Sequence, residues 1–371
     1  MSSNKTDGNP GSNAGSTESV RATGAGRSGV ATIHDVAERA GVSIKTVSRV
    51  VNREPNVRAE MTQRVQQAID ELNYRPNFSA RNLAGRKAYL IALLYDNPSD
   101  SYLIGVQEGT LRSCKKLGYS LLLQPCRYDQ AGLIEEVLTM VRERRPSGLV
   151  LTPPVSDVPA LLEALDANDV DYVCTGSVDR HARFPIVRAD DQQGAYDLTS
   201  YLLNLGHRCI AFIQGHPAHV SARARVDGFL NAHRDLGVPV NDQLIMQGLF
   251  TFDSAVECAR RLLTQRERPS AIFAANDDMA AGVLHVAHEL GISVPAQLSV
   301  AGFDDAPLAR RVWPSLTTVR QPINEMAELA VDVLINVAAE RARGVEAERR
   351  VELLRNELII RDSTAAPAKS G

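Results

Sequence analysis

Three residues able to read a polyanion stand at helical spacing in this chain: Lys45, Arg49 and Asn52. At about 100° per residue they share one stripe, opposite Val47, Val50 and Val51. A helix that turns those valines inward presents an ammonium, a guanidinium and an amide outward. Lys and Arg can donate to O6 and N7 of guanine, and the DNA major groove admits a single helix. The bland alternative is a small helical hairpin with a solvated basic face. The elements that must hold the stripe are legible. Ile33, Val36, Ala37 and Ala40 form the apolar face of a preceding helix, which Thr32 and Asp35 start and Gly41 ends. Ser43 is placed to cap the second helix. A third, from about Arg58 to Asn73, repeats Met61, Val65, Ala68, Ile69 and Leu72 at helical spacing and closes a three-helix unit that Pro76 terminates.

Charge is unevenly placed. Residues 31–87 hold ten Lys/Arg against six Asp/Glu, although the whole chain is at −3. A basic head on an acidic body fits a nucleic-acid module joined to something that does not touch nucleic acid. Residues 1–30 have almost no large apolar side chains and are expected to be disordered, as is the tail 363–371. Residues 76–87 are helix-compatible but too short to be stable alone. By composition they read as a linker. The other reading is a segment that folds only when docked, with Arg81, Arg86 and Lys87 near phosphates and Leu83 as an apolar wedge between base steps.

The five cysteines are odd in number, scattered and free of any C-x-x-C, which speaks against a disulfide framework or a zinc site and for a reducing compartment. Without a secretory h-region or a run of 18 apolar residues, the expectation is a cytoplasmic protein with no membrane span. At 371 residues the chain has room for two or three domains.

From Ala88 apolar runs alternate with helical stretches. The strand-like runs include Tyr89–Tyr95, Tyr119–Gln124, Gly148–Thr152 and Asp171–Thr175, then Arg208–Gln214, Leu244–Gly248, Ser270–Ala275 and Leu298–Phe303. Such a rhythm means parallel sheets covered on both faces. The units are too many for one sheet and the rhythm breaks near Arg180–Asp191, so the expectation is two doubly wound lobes with a cleft between them. Ligands of such sheets sit beyond the carboxyl ends of the strands. The hydrolase, P-loop, zincin and dinucleotide fingerprints are all missing from the sequence. Histidines such as His207 fit structural roles, and the reading is a non-enzyme with neither cofactor nor metal.

Six stretches together resemble the LacI/GalR family of bacterial transcription regulators over about residues 31–361. They are Thr32-Ile-x-Asp-Val-Ala, Ala40-Gly-Val-Ser, Thr46-Val-Ser-Arg-Val-Val-Asn52, the Arg75-Pro-Asn-x-x-Ala-Arg-x-Leu83 linker, Ala275-Asn-Asp277 and Val300-Ala-Gly-Phe-Asp-Asp305. The resemblance implies a helix-turn-helix head (31–75), a hinge helix (76–87) and a periplasmic-binding-protein-like body (88–362). The body's lobes would span about 88–189 and 190–318, with the C-terminal part crossing between them. It also implies a homodimer reading a pseudo-palindromic double-stranded operator, released when a small effector, most simply a sugar, enters the cleft. No leucine heptad follows Ser363, so nothing in the sequence supports the four-chain assembly that some relatives form through such a heptad.

By position, the resemblance implies that Ile44, Lys45 and Arg49 face base edges, with Thr32, Ser43, Thr46, Ser48 and Asn52 in the same DNA-facing frame. Leu83, with Ala80 and Ala84 beside it, would enter the minor groove. Ile44 either meets a thymine methyl or packs on the head. In the cleft it implies effector contacts from Ser221, Arg225, Phe250, Asn276, Asp304 and Gln321, with Asp96, Asn97 and Tyr102 as weaker candidates from the first lobe. Leu249 stands where the family usually has Asp before that aromatic. Competing structural roles are a helix cap for Asp277, a turn for Asp304-Asp305 and core packing for Phe250. The alternatives to a sugar-responsive repressor are a regulator bound by a purine-like or phosphorylated corepressor and a solute-binding protein.

Overall fold

In the computed structural model residues 31–51, 57–74, 89–176, 185–345 and 350–368 are described. The chain divides into two compact units, Met1–Arg81 and Asn82–Gly371.

The first unit carries α1 (Ile33–Ala40), α2 (Ile44–Val51) and α3 (Ala59–Glu71). Val36, Val47 and Val65 are fully buried at its centre, closed in by Ala37, Ala40, Ala68 and Tyr74. The helix starts follow from side-chain chemistry. Thr32 and Asp35 make a reciprocal capping box on α1, with the Thr32 backbone N–H donating to Asp35 at 2.7 Å. The Ser43 hydroxyl accepts the Thr46 N–H at 3.2 Å and so caps α2. Gly41 ends α1 at φ 62°, and Arg64 reaches past it to donate to the Ala40 carbonyl at 2.7 Å. A side chain at Gly41 would strain the left-handed backbone and displace Arg64.

The second unit holds two parallel sheets. In the first lobe β1 (Leu90–Tyr95), α4 (Asp100–Leu117), β2 (Ser120–Pro125), α5 (Leu133–Arg144), β3 (Gly148–Leu151), α6 (Pro159–Ala167), β4 (Tyr172–Thr175) and β5 (Ile186–Ala189) alternate. The second lobe continues with α7 (Asp191–Asn204), β6 (Ile210–Gln214), α8 (Val220–Asp235), β7 (Ile245–Gln247), α9 (Phe252–Leu263), β8 (Ala271–Ala274), α10 (Asp277–Glu289) and β9 (Ser299–Ala301). The chain then crosses. β10 (Thr318–Arg320) leads to α11 (Ile323–Ala342), which packs on α4 and the first sheet. β11 (Val351–Leu354) joins that sheet beside β5, and β12 (Glu357–Ile359) returns to pair antiparallel with β10. The strand orders are β11-β5-β4-β3-β1-β2 and β7-β6-β8-β9. Both sheets therefore reverse order next to their first strand, between β1 and β3 and between β6 and β8. Crevices of doubly wound folds open at such points. Buried aliphatic residues cover both faces of the first sheet, and a larger core with Phe212, Phe229 and Phe273 surrounds the second. Among the described residues no helix is long and apolar enough to cross a membrane.

Two features differ from the sequence expectation. The apparent break in rhythm contains β5, no shorter than β3, β4 or β8 but interrupted by Arg188, so it does not read as an apolar strand. The tail expected to be disordered is anchored by hydrogen bonds at Ser363, Thr364 and Ala365. Ser363 is fully buried, donates to the Val300 carbonyl at 2.6 Å and accepts the Thr317 N–H at 2.8 Å. The Ala365 carbonyl meets His207 Nε2 at 2.9 Å. Composition could not reveal this, because small polar residues bind here through backbone and hydroxyl groups rather than apolar area. Replacing Ser363 by Ala leaves a buried carbonyl and N–H without their partner and should cost about 1–3 kcal/mol. In urea unfolding this would show as a lower midpoint at unchanged slope.

Candidate functional site

The surface of α2 is the first candidate. Val47 is fully buried, whereas Lys45 and Ile44 are exposed and Thr46, Ser48 and Arg49 are half-buried. The valine therefore faces the head core, and Lys45 and Arg49, one turn apart, lie on the opposite side. Thr46 and Ser43 spend hydroxyl capacity on each other, at 2.9 Å, and Thr32 on Asp35, at 2.7 Å. An ion pair from Arg39 to Glu71 adds a tie between α1 and α3. Asn52, Ala80, Leu83 and Ala84, with the rest of the hinge segment, lie outside the described residues.

The second candidate is a narrow cleft in the body, built where strands of both sheets end. Asn97 and Tyr102 follow β1, and Pro153 follows β3. Gly176 follows β4, and Asp191 follows β5. From the second lobe come His219 and Ser221 after β6, Phe250 after β7, Asn276 after β8 and Asp304 after β9, with Gln321 after β10. Ser221, Arg225, Phe250, Asn276, Asp304, Gln321 and Tyr102, all expected from sequence, thus converge on one cavity.

Arg225 is only 4% exposed. Its Nε and Nη2 each lie 2.9 Å from Asp191 Oδ1, Nη1 donates to the Ala275 carbonyl, and Nη2 is 3.6 Å from Asp304. Its guanidinium carbon lies 3.9 Å from the Phe303 ring centroid and 5.5 Å from that of Phe250. Phe250 adopts φ 64° and presses on Gly215, where any Cβ would overlap its ring. Asp304 accepts from Gln321 Nε2 at 2.6 Å.

Burial dominates the protonation of these groups. It pushes the Asp304 carboxyl up to about 7, against the pull of Arg225 and Gln321. It also raises Asp191, again opposed by Arg225. Burial, helped by His216 and Arg225 nearby, drives His219 down to about 3, so that imidazole is neutral. The Tyr102 phenol is raised by burial and stays protonated. The result is a wall of hydroxyl, amide, carboxyl and neutral imidazole groups, suited to a ligand rich in hydroxyls.

Two sequence expectations are corrected. Asp96 lies outside the cavity lining: its carboxylate accepts the Tyr128 N–H at 2.9 Å and shapes a loop, and the adjacent Asn97 lines the cavity instead. The cap of α10 is Asn276, which accepts the Met279 N–H at 2.9 Å, not Asp277. Asn276 also donates to the Phe250 carbonyl at 3.0 Å, so it has at most a second amide hydrogen to offer a ligand. Asp277 is buried and holds the Ala306 N–H at 2.7 Å and the Thr318 hydroxyl at 2.6 Å, and burial raises its carboxyl well above the usual range. Sequence reasoning misses Asp191, because β5 shows no strand pattern, and His219, Ser99 and Met326, whose types carry no special signal.

Comparison with known proteins points one way. The model of the family described as "Bacterial regulatory proteins, lacI family" matches residues 32–77, and that of a periplasmic binding protein-like domain matches 199–364. Catabolite control protein A of Priestia megaterium is 33% identical over 304 residues, covering 82% of this chain and 91% of that protein. The HTH-type transcriptional repressor PurR of Vibrio vulnificus (strain CMCP6) is 31% identical, covering 90% and 98%. Among solved structures, the lac repressor dimer bound to operator and the anti-inducer ONPF matches with a TM-score of 0.71 at 28% identity, covering 91% of this chain and 100% of that one. A complex of the transcriptional regulator CelR with cellobiose matches with a TM-score of 0.69 at 28% identity, covering 90% and 99%.

The Asp304 carboxyl gives a pH signature. Because its pKa is higher in the fold than the ordinary 3.8, the stability it contributes is complete at low pH and is lost as pH rises through about 7. Asp304→Asn removes this titration. The unfolding free energy of the variant minus that of the parent should grow between about pH 4 and about pH 7 and then level off, as measured by urea denaturation.

Proposed function

We propose that this chain, which belongs to the lacI family of bacterial regulatory proteins, is a transcriptional repressor whose hold on DNA is set by an uncharged carbohydrate in the body cleft. It is a DNA-binding transcriptional regulator with a helix-turn-helix head and a two-lobed body. In the proposed mechanism two copies act as a dimer in the cytoplasm, each placing α2 in the major groove of one operator half-site. Lys and Arg contacts to phosphate supply salt-dependent affinity, Lys45 and Arg49 read base edges, and the linker wedge at Leu83 bends the site. A carbohydrate that prefers one arrangement of the lobes shifts the population of DNA-competent dimers and releases the operator.

The observation that carries the choice of ligand is the state of Arg225. Its charge is already matched by Asp191 at 2.9 Å with Asp304 close by, so among the described lining residues no cation is left to spare for a phosphate. Neutral hydroxyls can exchange hydrogen bonds with Ser221, Gln321, Asn97 and Tyr102 at no charge cost. The cellobiose held by a structural relative agrees with this class. Favouring a flat, purine-like corepressor instead are the aromatic walls Tyr102 and Phe250. In this reading the neutral imidazole of His219 and the carboxyl groups beside Arg225 serve recognition rather than turnover.

Thermal-shift titration of the full chain separates these readings. Neutral mono- and disaccharides should include a ligand that raises the melting temperature by mass action, while sugar phosphates and purines leave it unchanged. A shift by purines alone would move the assignment to the corepressor reading. On DNA, Arg49→Ala should lower preference for the operator over random duplex about tenfold to a hundredfold, while non-specific affinity changes little, as read by fluorescence anisotropy. Equal weakening on every sequence would remove Arg49 from base reading.

A further inference from the structure

The two lobes touch across the cleft through a pair of carboxylates outside its lining. Asp278, in the first turn of α10 in the second lobe, accepts the Ser99 hydroxyl at 2.9 Å. Ser99 is the N-cap of α4 in the first lobe, and its oxygen also accepts the Tyr102 N–H at 3.5 Å. Asp157, in the turn Val155–Asp157 after β3 of the first lobe, accepts the Val220 N–H at 3.4 Å. Val220 opens α8 in the second lobe, and the N-cap residue of that helix, His219, makes no side-chain cap of its own. A carboxylate from the first lobe therefore meets a donor that the helix start leaves open. Near the same opening the Tyr128 ring of the first lobe meets His216 of the second edge-on, with centroids 6.1 Å apart.

The arrangement is reciprocal: each lobe sends one carboxylate to a helix start of the other. Both helix starts carry cleft residues within two turns, Tyr102 on α4 and Ser221 with Arg225 on α8. We infer that Asp157 and Asp278 are positioning residues that clamp the cleft shut, each by holding the first turn of a helix in the opposite lobe. Their joint strength sets how far the closed arrangement is populated before any effector arrives, and so how much of the effector's binding free energy remains to shift the equilibrium. The inference deepens the proposed regulation of this cleft and rests on that reading for its meaning, but its test uses no effector.

Hydrogen–deuterium exchange on the ligand-free full chain reads the clamp directly. A local cap protects only the helix it touches, whereas a clamp protects both. Asp278→Ala should speed exchange in the first turn of α8, which it does not contact, roughly fivefold, and Asp157→Ala should do the same in the first turn of α4. The core strands β1, β3, β6 and β8 should keep their protection. Asp157→Asn and Asp278→Asn, which keep the side-chain shape, should show the same crossed pattern more weakly, and they carry the test if either Ala variant fails to fold. Acceleration confined to the contacted helix, no acceleration at all, or loss of protection throughout both lobes in the Asn variants would each overturn the inference. If no carbohydrate shifts the melting temperature while the crossed pattern is found, the clamp stands and the ligand assignment falls.

Discussion

A guanidinium buried among strand ends is the constraint on which the body depends. An ion that leaves water costs several kcal/mol unless its partners converge on it. Arg225 is on α8, yet its partners come from three other places: Asp191 just beyond β5, the Ala275 carbonyl just beyond β8 and Asp304 just beyond β9. Satisfying one side chain thus fixes the junction between the lobes and the floor of the cleft together. Such pairs add little net stability, but removal of one partner costs about 3–5 kcal/mol, so they select one geometry over its neighbours. The proposed preference for an uncharged ligand rests on the same geometry, in which the Arg225 guanidinium already faces Asp191 and Asp304.

The head obeys a different constraint. It is too small for a large core, so single side chains set its geometry. Three valines fill the centre, a capping box and a left-handed glycine bound α1, and an arginine closes the turn. With these in place, Lys45 and Arg49 are turned outward by the valine face behind them. The two units divide their work by charge. The head region is basic, which suits a polyanion, while the body is acidic overall and lines its cleft mainly with hydrogen-bonding groups.

Much of this is legible in the sequence, and the failures have a common cause. Thr32, Asp35, Gly41 and Ser43 act locally, within four residues of their partners, and their roles can be read from spacing. The alternation of strands and helices comes from runs long enough to show a period. β5, as long as β3, β4 and β8, does not show one because Arg188 interrupts its apolar run, and its invisibility hides Asp191. Spacing cannot choose between Asn276 and Asp277, because both are competent caps. What separates them is tertiary: the Thr318 hydroxyl and Ala306 N–H reach Asp277, from 41 and 29 residues away along the chain. Ser363 binds through the same kind of distant partner. Local chemistry is written in the sequence as pattern, whereas long-range hydrogen bonds to small polar residues leave no pattern.

The most direct measurement is the affinity of the full chain for a palindromic promoter duplex, by fluorescence anisotropy at fixed salt, with and without a saturating neutral carbohydrate identified by its thermal shift. The carbohydrate should weaken binding about tenfold or more, and Arg225→Met, which cannot organise the cleft, should bind DNA but no longer respond. A bound carbohydrate that leaves DNA affinity unchanged, or a response that survives in Arg225→Met, would contradict the coupling of cleft to head.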